Sequence, residues 1–117
     1  MRNFKKLEIW QNGFQIATNA YKLTKTFPSS ESWNLISQIN RAAFSIPTNI
    51  AEGSSRTSDK DKNRFTEIAL GSTYELETHL LIARELSIGD MSMIEKIMEL
   101  VIKEQRMLIS FSTVLKR

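Results

Sequence analysis

The chain contains one histidine, His79, and no cysteine. A thiol nucleophile, a disulfide framework and a Cys-rich zinc site are therefore excluded, as is any chemistry that needs two imidazoles from one chain. Glu75 precedes His79 by four residues, so on a helix both side chains share a face and could offer two metal ligands. Metal sites normally want three or four, and no second cluster of ligating residues accompanies the pair. The Glu-x-x-His pattern of di-iron bundles is missing too, because the residue three before His79 is Leu76. Serines are abundant, yet one histidine would have to serve any triad, and neither Gly-x-Ser-x-Gly nor a phosphate-cradling glycine loop occurs. These residues predict no enzyme, no metal and no cofactor.

What remains is charge and apolar patterning. The 117 residues carry 16 Lys and Arg against 13 Asp and Glu, a net +3. The balance is +4 over residues 1–30, +1 over 31–66, −5 over 67–104 and +3 over 105–117. Four glycines and two prolines are too few for the frequent turns of an all-β chain. No apolar run approaches the roughly 20 residues that span a bilayer, and no signal-peptide core follows Met1, so a cytoplasmic, non-membrane protein is expected.

The periodicity predicts four helices, at about 5–26, 31–52, 58–86 and 92–115, in one domain covering 1–117. In the first, Leu7, Trp10, Phe14, Ala17, Tyr21 and Thr24 form a core-facing stripe. Ile9, Ile16, Ala20, Leu23 and Phe27 form a second apolar face, more than one neighbouring helix needs, and Ile9, Ile16, Ala20 and Leu23 are its candidate oligomer-interface residues. Phe27-Pro28 ends this helix. The second carries Leu35, Ile39, Ala42, Ile46 and Ile50, with a kink expected at Pro47 and a C-terminal cap at Gly53. Ser58 with Asp61, and Ser92 with Glu95, read as capping boxes opening the third and fourth helices. The third helix has Phe65, Ile68, Ser72, Leu76, His79 or Leu80, and Ala83 inward. The fourth has Ile94, Ile97, Val101, Leu108, Phe111 and Leu115. Ala42, Ala43, Gly71 and Ser72 suggest a close approach of the second and third helices, where Glu75 and Glu77 are placed to answer Arg41.

Short connections favour antiparallel neighbours, hence an all-α, up-down-up-down four-helix bundle. That topology gathers Arg2, Lys5, Lys6, Arg56, Lys60, Lys62, Arg64, Lys116 and Arg117 at one end, against Glu8, Glu52, Asp59 and Asp61. A pole of this sign can bind phosphates through counterion release, and oligomerisation would multiply it.

The run Q-I-N-R-A-A-F-S-I-P-T-N-I-A-E-G at 38–53, then Arg56, Phe65, I-A-L-G-S at 68–72 and E-L-E at 75–77, resembles the bacterial four-helix-bundle family of 23S ribosomal RNA intervening-sequence proteins. Leu7, Trp10, Tyr21, Thr24, Phe27-Pro28 and Glu31 follow in the family's order. Asn40 stands where the usual Arg-Arg pair has its first arginine, and Trp33-Asn34 where an aromatic-glycine pair is usual. The matching polar residues are Gln38, Arg41, Ser45, Asn49, Glu52, Arg56 and Glu75, whose role the resemblance does not assign. Some members are encoded within insertions in ribosomal RNA genes. The family is also similar to the accessory protein of diversity-generating retroelements, a basic bundle that works with a reverse transcriptase and nucleic acid. The resemblance implies a homo-oligomer, with closed homopentameric rings among relatives. It also implies RNA, DNA or a nucleoprotein such as a reverse transcriptase as partner, and no enzymatic activity. The expected function is electrostatic nucleic-acid or nucleoprotein binding with little base readout, since apolar stripes are expected to occupy Trp10, Trp33 and most other aromatics. The alternative is a protein-interaction scaffold with no direct nucleic-acid role.

Overall fold

The computed structural model describes residues 3–117, so Arg2 of the expected pole lies outside the described residues. Helices α1 (Glu8–Thr24), α2 (Ser37–Ser54), α3 (Asp59–Glu85) and α4 (Met91–Leu115) form an all-α bundle. Each packs against its neighbours in sequence, and α4 closes onto α1. The envelope of 44 × 20 × 20 Å is about the length of α3 alone, roughly 40 Å at 1.5 Å per residue, so the helices run along one long axis.

Local signals explain most boundaries. Pro28 takes an extended conformation and starts a 3-10 turn, Ser29–Glu31, followed by a π-type turn, Ser32–Ile36. The regular part of α2 therefore begins at Ser37, six residues later than the spacing predicts, and Trp33 is left 94% exposed. Pro47 is buried inside α2, where it deprives the Ala43 carbonyl of its helical donor. Ser58 caps α3, its hydroxyl accepting from the Asp61 amide at 3.1 Å. For α4 the cap is Asp90, which accepts from the Met93 amide at 3.0 Å, in place of the expected Ser92. Gly53 lies within α2 and does not cap it. A Cβ there would stand 2.9 Å from that of Phe65, so this glycine serves the α2–α3 approach.

The largest correction concerns α1. Ile9, Ile16, Ala20 and Leu23 are buried in the chain's own core with Ile39, Ala42, Ala43, Ile46, Leu76, Leu80, Ile97, Val101 and Leu108. Side chains already buried within one bundle cannot line a contact between bundles, so their assignment to an oligomer interface is withdrawn. Of the stripe expected to face the core, Ala17 and Thr24 are buried and Leu7 and Trp10 half-buried, whereas Phe14 and Tyr21 are 45% and 48% exposed. On α3, Ala69 and Leu80 take the inner positions while Ile68 faces out and His79 sits at the boundary.

Two glycines separate structural need from freedom. Gly89 has φ +86°, and a Cβ there would collide with the Phe27 ring at 2.3 Å. The adjacent Asp90 amide donates to Thr26 Oγ1 at 3.0 Å, tying the α3–α4 connection to the end of α1. A Cβ on Gly71 would meet nothing within 4 Å, so the close approach expected there is absent. Gly89→Ala should cost roughly 1–3 kcal/mol, whereas Gly71→Ala should stabilise the folded chain by up to about 1 kcal/mol. Urea unfolding midpoints of the two variants should move in opposite directions.

Candidate nucleic-acid interface and apolar groove

The start of α1, the end of α2, the start of α3 and the end of α4 share one end of the bundle, and the basic residues lie there. Lys5 and Lys6 stand in the 3-10 turn Phe4–Lys6, held by the Asn3 side chain, whose Oδ1 accepts from the Lys5 amide. Arg56 follows α2, pairs with Glu52 at 3.2 Å and lies over the Phe65 ring at 4.8 Å. Arg64 covers the same ring at 4.7 Å. Phe65 is thus a ring against which both guanidinium groups pack. Lys60, Arg64 and Lys116 line a cleft of about 570 Å³ between the start of α3 and the end of α4, together with Asn63, Asp61 and Glu67. Lys62 is half-buried and borders a different, smaller hollow beside Leu7 and Phe111, so it is not a member of that cleft. Arg117 follows Lys116 at the chain end.

The family-motif polar residues run along the α2–α3 boundary. Ser45 and Ser72 hydroxyls meet at 2.9 Å, and Asn49 Nδ2 donates to both the carbonyl and the hydroxyl of Ser45, at 2.8 and 2.9 Å. These are short side chains that let two helices approach while satisfying each other. Arg41 donates to Gln38 on its own helix, and Gln105 of α4 donates to Glu77 at 2.8 Å. The expected pairing of Arg41 with Glu75 or Glu77 is not made. Glu75 and His79 border a cleft with Glu31 and Gln38, and among the described residues no three His, Cys, Asp or Glu side chains converge as metal ligands.

On the flank of the bundle, α1 and α2 bound an open apolar groove of about 730 Å³. Its wall is an aromatic row: Trp10 lies 5.1 Å from Phe14, and Tyr21 stacks on Phe44 at 6.3 Å, with Lys25 Nζ 4.8 Å from the Tyr21 ring. Pro47 and Ala51 of α2 and Lys22 of α1 complete it. The expectation that apolar stripes take up the aromatics fails here and at Trp33. The bundle's helices lie too close for these rings, and Gly, Ala and aliphatic side chains fill the interior instead.

Sequence reasoning also passed over Glu104. It is fully buried, its Oε1 accepting from Asn12 Nδ2 at 2.9 Å and its Oε2 left without a partner. Asn12 also donates to the Leu100 carbonyl, bridging α1 to α4. The signal was in the spacing: 94, 97, 101, 108, 111 and 115 form an inward stripe with one member missing, and 104 fills it. Burial pushes the Glu104 carboxyl from its ordinary 4.5 up to about 8, opposed by the Asn12 hydrogen bond and the nearby Lys103 charge.

The fold is an antiparallel four-helix bundle with a basic end and an uncovered aromatic flank. The family model of the 23S rRNA-intervening sequence protein matches residues 5–110, and the chain belongs to that family. It is similar to the crystal structure of a protein of unknown function from the S23 ribosomal protein family of Bacteroides thetaiotaomicron. That likeness has TM-score 0.79 and 25% identity over 89% of this chain and 97% of the other. No curated protein matches the chain. Among the described residues no helix is long and apolar enough to cross a membrane.

Glu104 sets a pH dependence. Folded, it keeps its proton up to about pH 8; unfolded, it loses it near 4.5. The native state therefore holds one more proton across that window, and stability should fall as pH rises through it, by roughly 1.4 kcal/mol per pH unit at most, then level off. Glu104→Gln should flatten this slope. Thermal unfolding of both proteins between pH 5 and about 9 checks it, and equal slopes would refute a buried neutral acid.

Proposed function

We propose that the chain is a non-enzymatic, homo-oligomeric four-helix bundle that binds nucleic acid or a nucleoprotein partner electrostatically, through its basic end. The observation that carries this reading is the convergence of Lys60, Arg64 and Lys116 on one cleft, with Arg56 and Arg64 held over Phe65 beside it. Fixed cations at one end suit phosphates, which any RNA or DNA presents without regard to sequence. Asp61 and Glu67 in the same cleft keep a single copy weak, which is why repetition in an oligomer belongs to the proposal. Trp33, the most exposed aromatic, sits at the opposite end of the bundle from these cations.

Oligomerisation is supported by the uncovered α1–α2 groove, whose lining is almost wholly apolar. The same groove favours a second reading, a scaffold that presents it to another protein while the basic end remains incidental. The two separate by salt. Phosphate-driven binding to generic RNA or DNA should weaken steeply between about 50 and 200 mM salt. Reversing Lys60, Lys62 and Arg64 to Glu should reduce it at low salt by at least about tenfold and flatten the salt slope by roughly 0.9 for each phosphate no longer neutralised. Unchanged binding, or a flat salt response in the parent protein, would leave the scaffold reading.

A further inference from the structure

Seven asparagines occur in the chain, and only Asn12 is followed by glycine. That dipeptide is chemically the least durable in an ordinary polypeptide, because glycine has no side chain to hinder its amide nitrogen as it turns back on the asparagine carboxamide. Neither residue is free to vary in this bundle. Asn12 is 7% exposed, and its Nδ2 donates to the Leu100 carbonyl at 3.0 Å and to Glu104 Oε1 at 2.9 Å, so position 12 needs a short side chain with two N–H donors. A Cβ at position 13 would stand 3.1 Å from both Glu104 Oε2 and Ile46 Cγ2. Packing therefore writes a labile pair into the α1–α4 contact.

Docking of α1 protects the pair. Asn12 and Gly13 lie in the second turn of α1, where the Gly13 amide belongs to the helical ladder and the helical backbone keeps it from reaching the carboxamide. The carboxamide is held from the other side by its two acceptors on α4. This protection lasts only while the start of the helix is in place, and that start is weakly fixed. Leu7 at the N-cap gives no side-chain hydrogen bond, and Gly13 itself lowers the helix propensity of the turn that follows. Opening at a helix end is among the least costly openings a bundle has.

We propose that the Asn12-Gly13 bond is a site of spontaneous deamidation, shielded while α1 is docked and reactive whenever it opens, and that conversion there keeps the chain from re-forming the bundle. The step needs only water. The Gly13 amide nitrogen gives its proton to solvent and bonds to Asn12 Cγ; the Cγ–Nδ2 bond breaks, and ammonia leaves with a proton returned by solvent, closing a succinimide. Water then adds to one of the two ring carbonyls and opens the ring to aspartate or isoaspartate. Aspartate at position 12 has lost both N–H donors, so the Leu100 carbonyl loses its Asn12 partner and two carboxyls face each other in the core. Either one of them enters ionised or both must hold protons, and each alternative opposes folding. Isoaspartate inserts a methylene into the main chain and breaks the α1 ladder. A prolonged opening of α1 thereby becomes irreversible.

Peptide mapping by mass spectrometry tests this on the full chain. Incubated at mildly alkaline pH in guanidinium chloride, Asn12 should convert ahead of the other six asparagines. In buffer alone, with the bundle folded, its conversion should be at least about tenfold slower. Gly13→Ala, compared in guanidinium chloride so that folding does not enter, should slow conversion at least about tenfold. When the denaturant is removed, chains converted at Asn12 should collect in the unfolded fraction from a sizing column and unconverted chains in the folded one. Equal rates with and without denaturant would overturn the shielding, an Asn12 that stays intact in denaturant would overturn the site, and converted chains that refold like the parent would overturn its consequence.

Discussion

Three helices meet at Gly13, and that meeting decides which side of α1 the bundle can bury. A Cβ on this residue would stand 3.1 Å from Glu104 Oε2 and 3.1 Å from Ile46 Cγ2. Such spacing leaves room for Gly13, Ala17 and Ala20 and for the aliphatic chains of Ile9, Ile16 and Leu23, but for no ring. The aromatics of α1 are therefore excluded from the interior by size, although they are the largest apolar bodies on the helix. They gather outside as the wall of the α1–α2 groove, and Phe44 of α2 joins them for the same reason, since Ala42 and Ala43 hold the inner positions beside it.

This explains why the helices were legible in the sequence while their facing was not. Apolar spacing, the Phe27-Pro28 stop and the Ser58 cap depend on local chemistry, and they place four helices in the right order. On α1, however, two stripes have the same period, and period alone cannot rank them. Ranking requires the interhelical distance, which is a property of two partners. A clue was present in Gly13, Ala17 and Ala20, small residues recurring on one side, the mark of a helix that must come close to another. Apolarity alone favours the aromatic side, and side-chain volume decides against it. On α3 the analogous choices between Ile68 and Ala69, and between His79 and Leu80, were settled by volume and polarity respectively. The basic end was legible because it follows from topology and chain position. The Phe65 platform beneath Arg56 and Arg64 was not, since it depends on α2 and α3 meeting at Gly53.

The polar groups inside the bundle act on register. Asn12 with Glu104 ties α1 to α4, Ser45 with Ser72 ties α2 to α3, and Asn63, accepting from the Ser112 hydroxyl at 2.6 Å, ties α3 to α4. Aliphatic stripes tolerate a slip of one turn with modest loss, because one Leu or Ile position resembles the next. A slip at any of these pairs strands a buried donor or acceptor, at a cost of about 1–3 kcal/mol each. Glu104 is the extreme case: burial favours its neutral form, and its second oxygen has no protein partner. The polarity is thus spent on choosing one alignment of helices whose apolar faces would accept several.

The two external features, basic end and aromatic flank, lie on surfaces that do not compete. The groove runs along the side of a bundle 44 Å long and 20 Å wide, and the basic cleft opens at its tip. Contacts made through the sides leave every tip free. If copies repeat about an axis parallel to the bundle, all the basic ends face the same way, and each added copy contributes Lys60, Arg64 and Lys116 to one rim. Counterion release grows with the number of phosphates engaged at once, so affinity then rises with subunit number although the net charge per chain stays at +3. A chain that is nearly balanced can in this way be a poor phosphate ligand alone and a strong one assembled. Assembly on the flank, more than any single base at the tip, would then control binding.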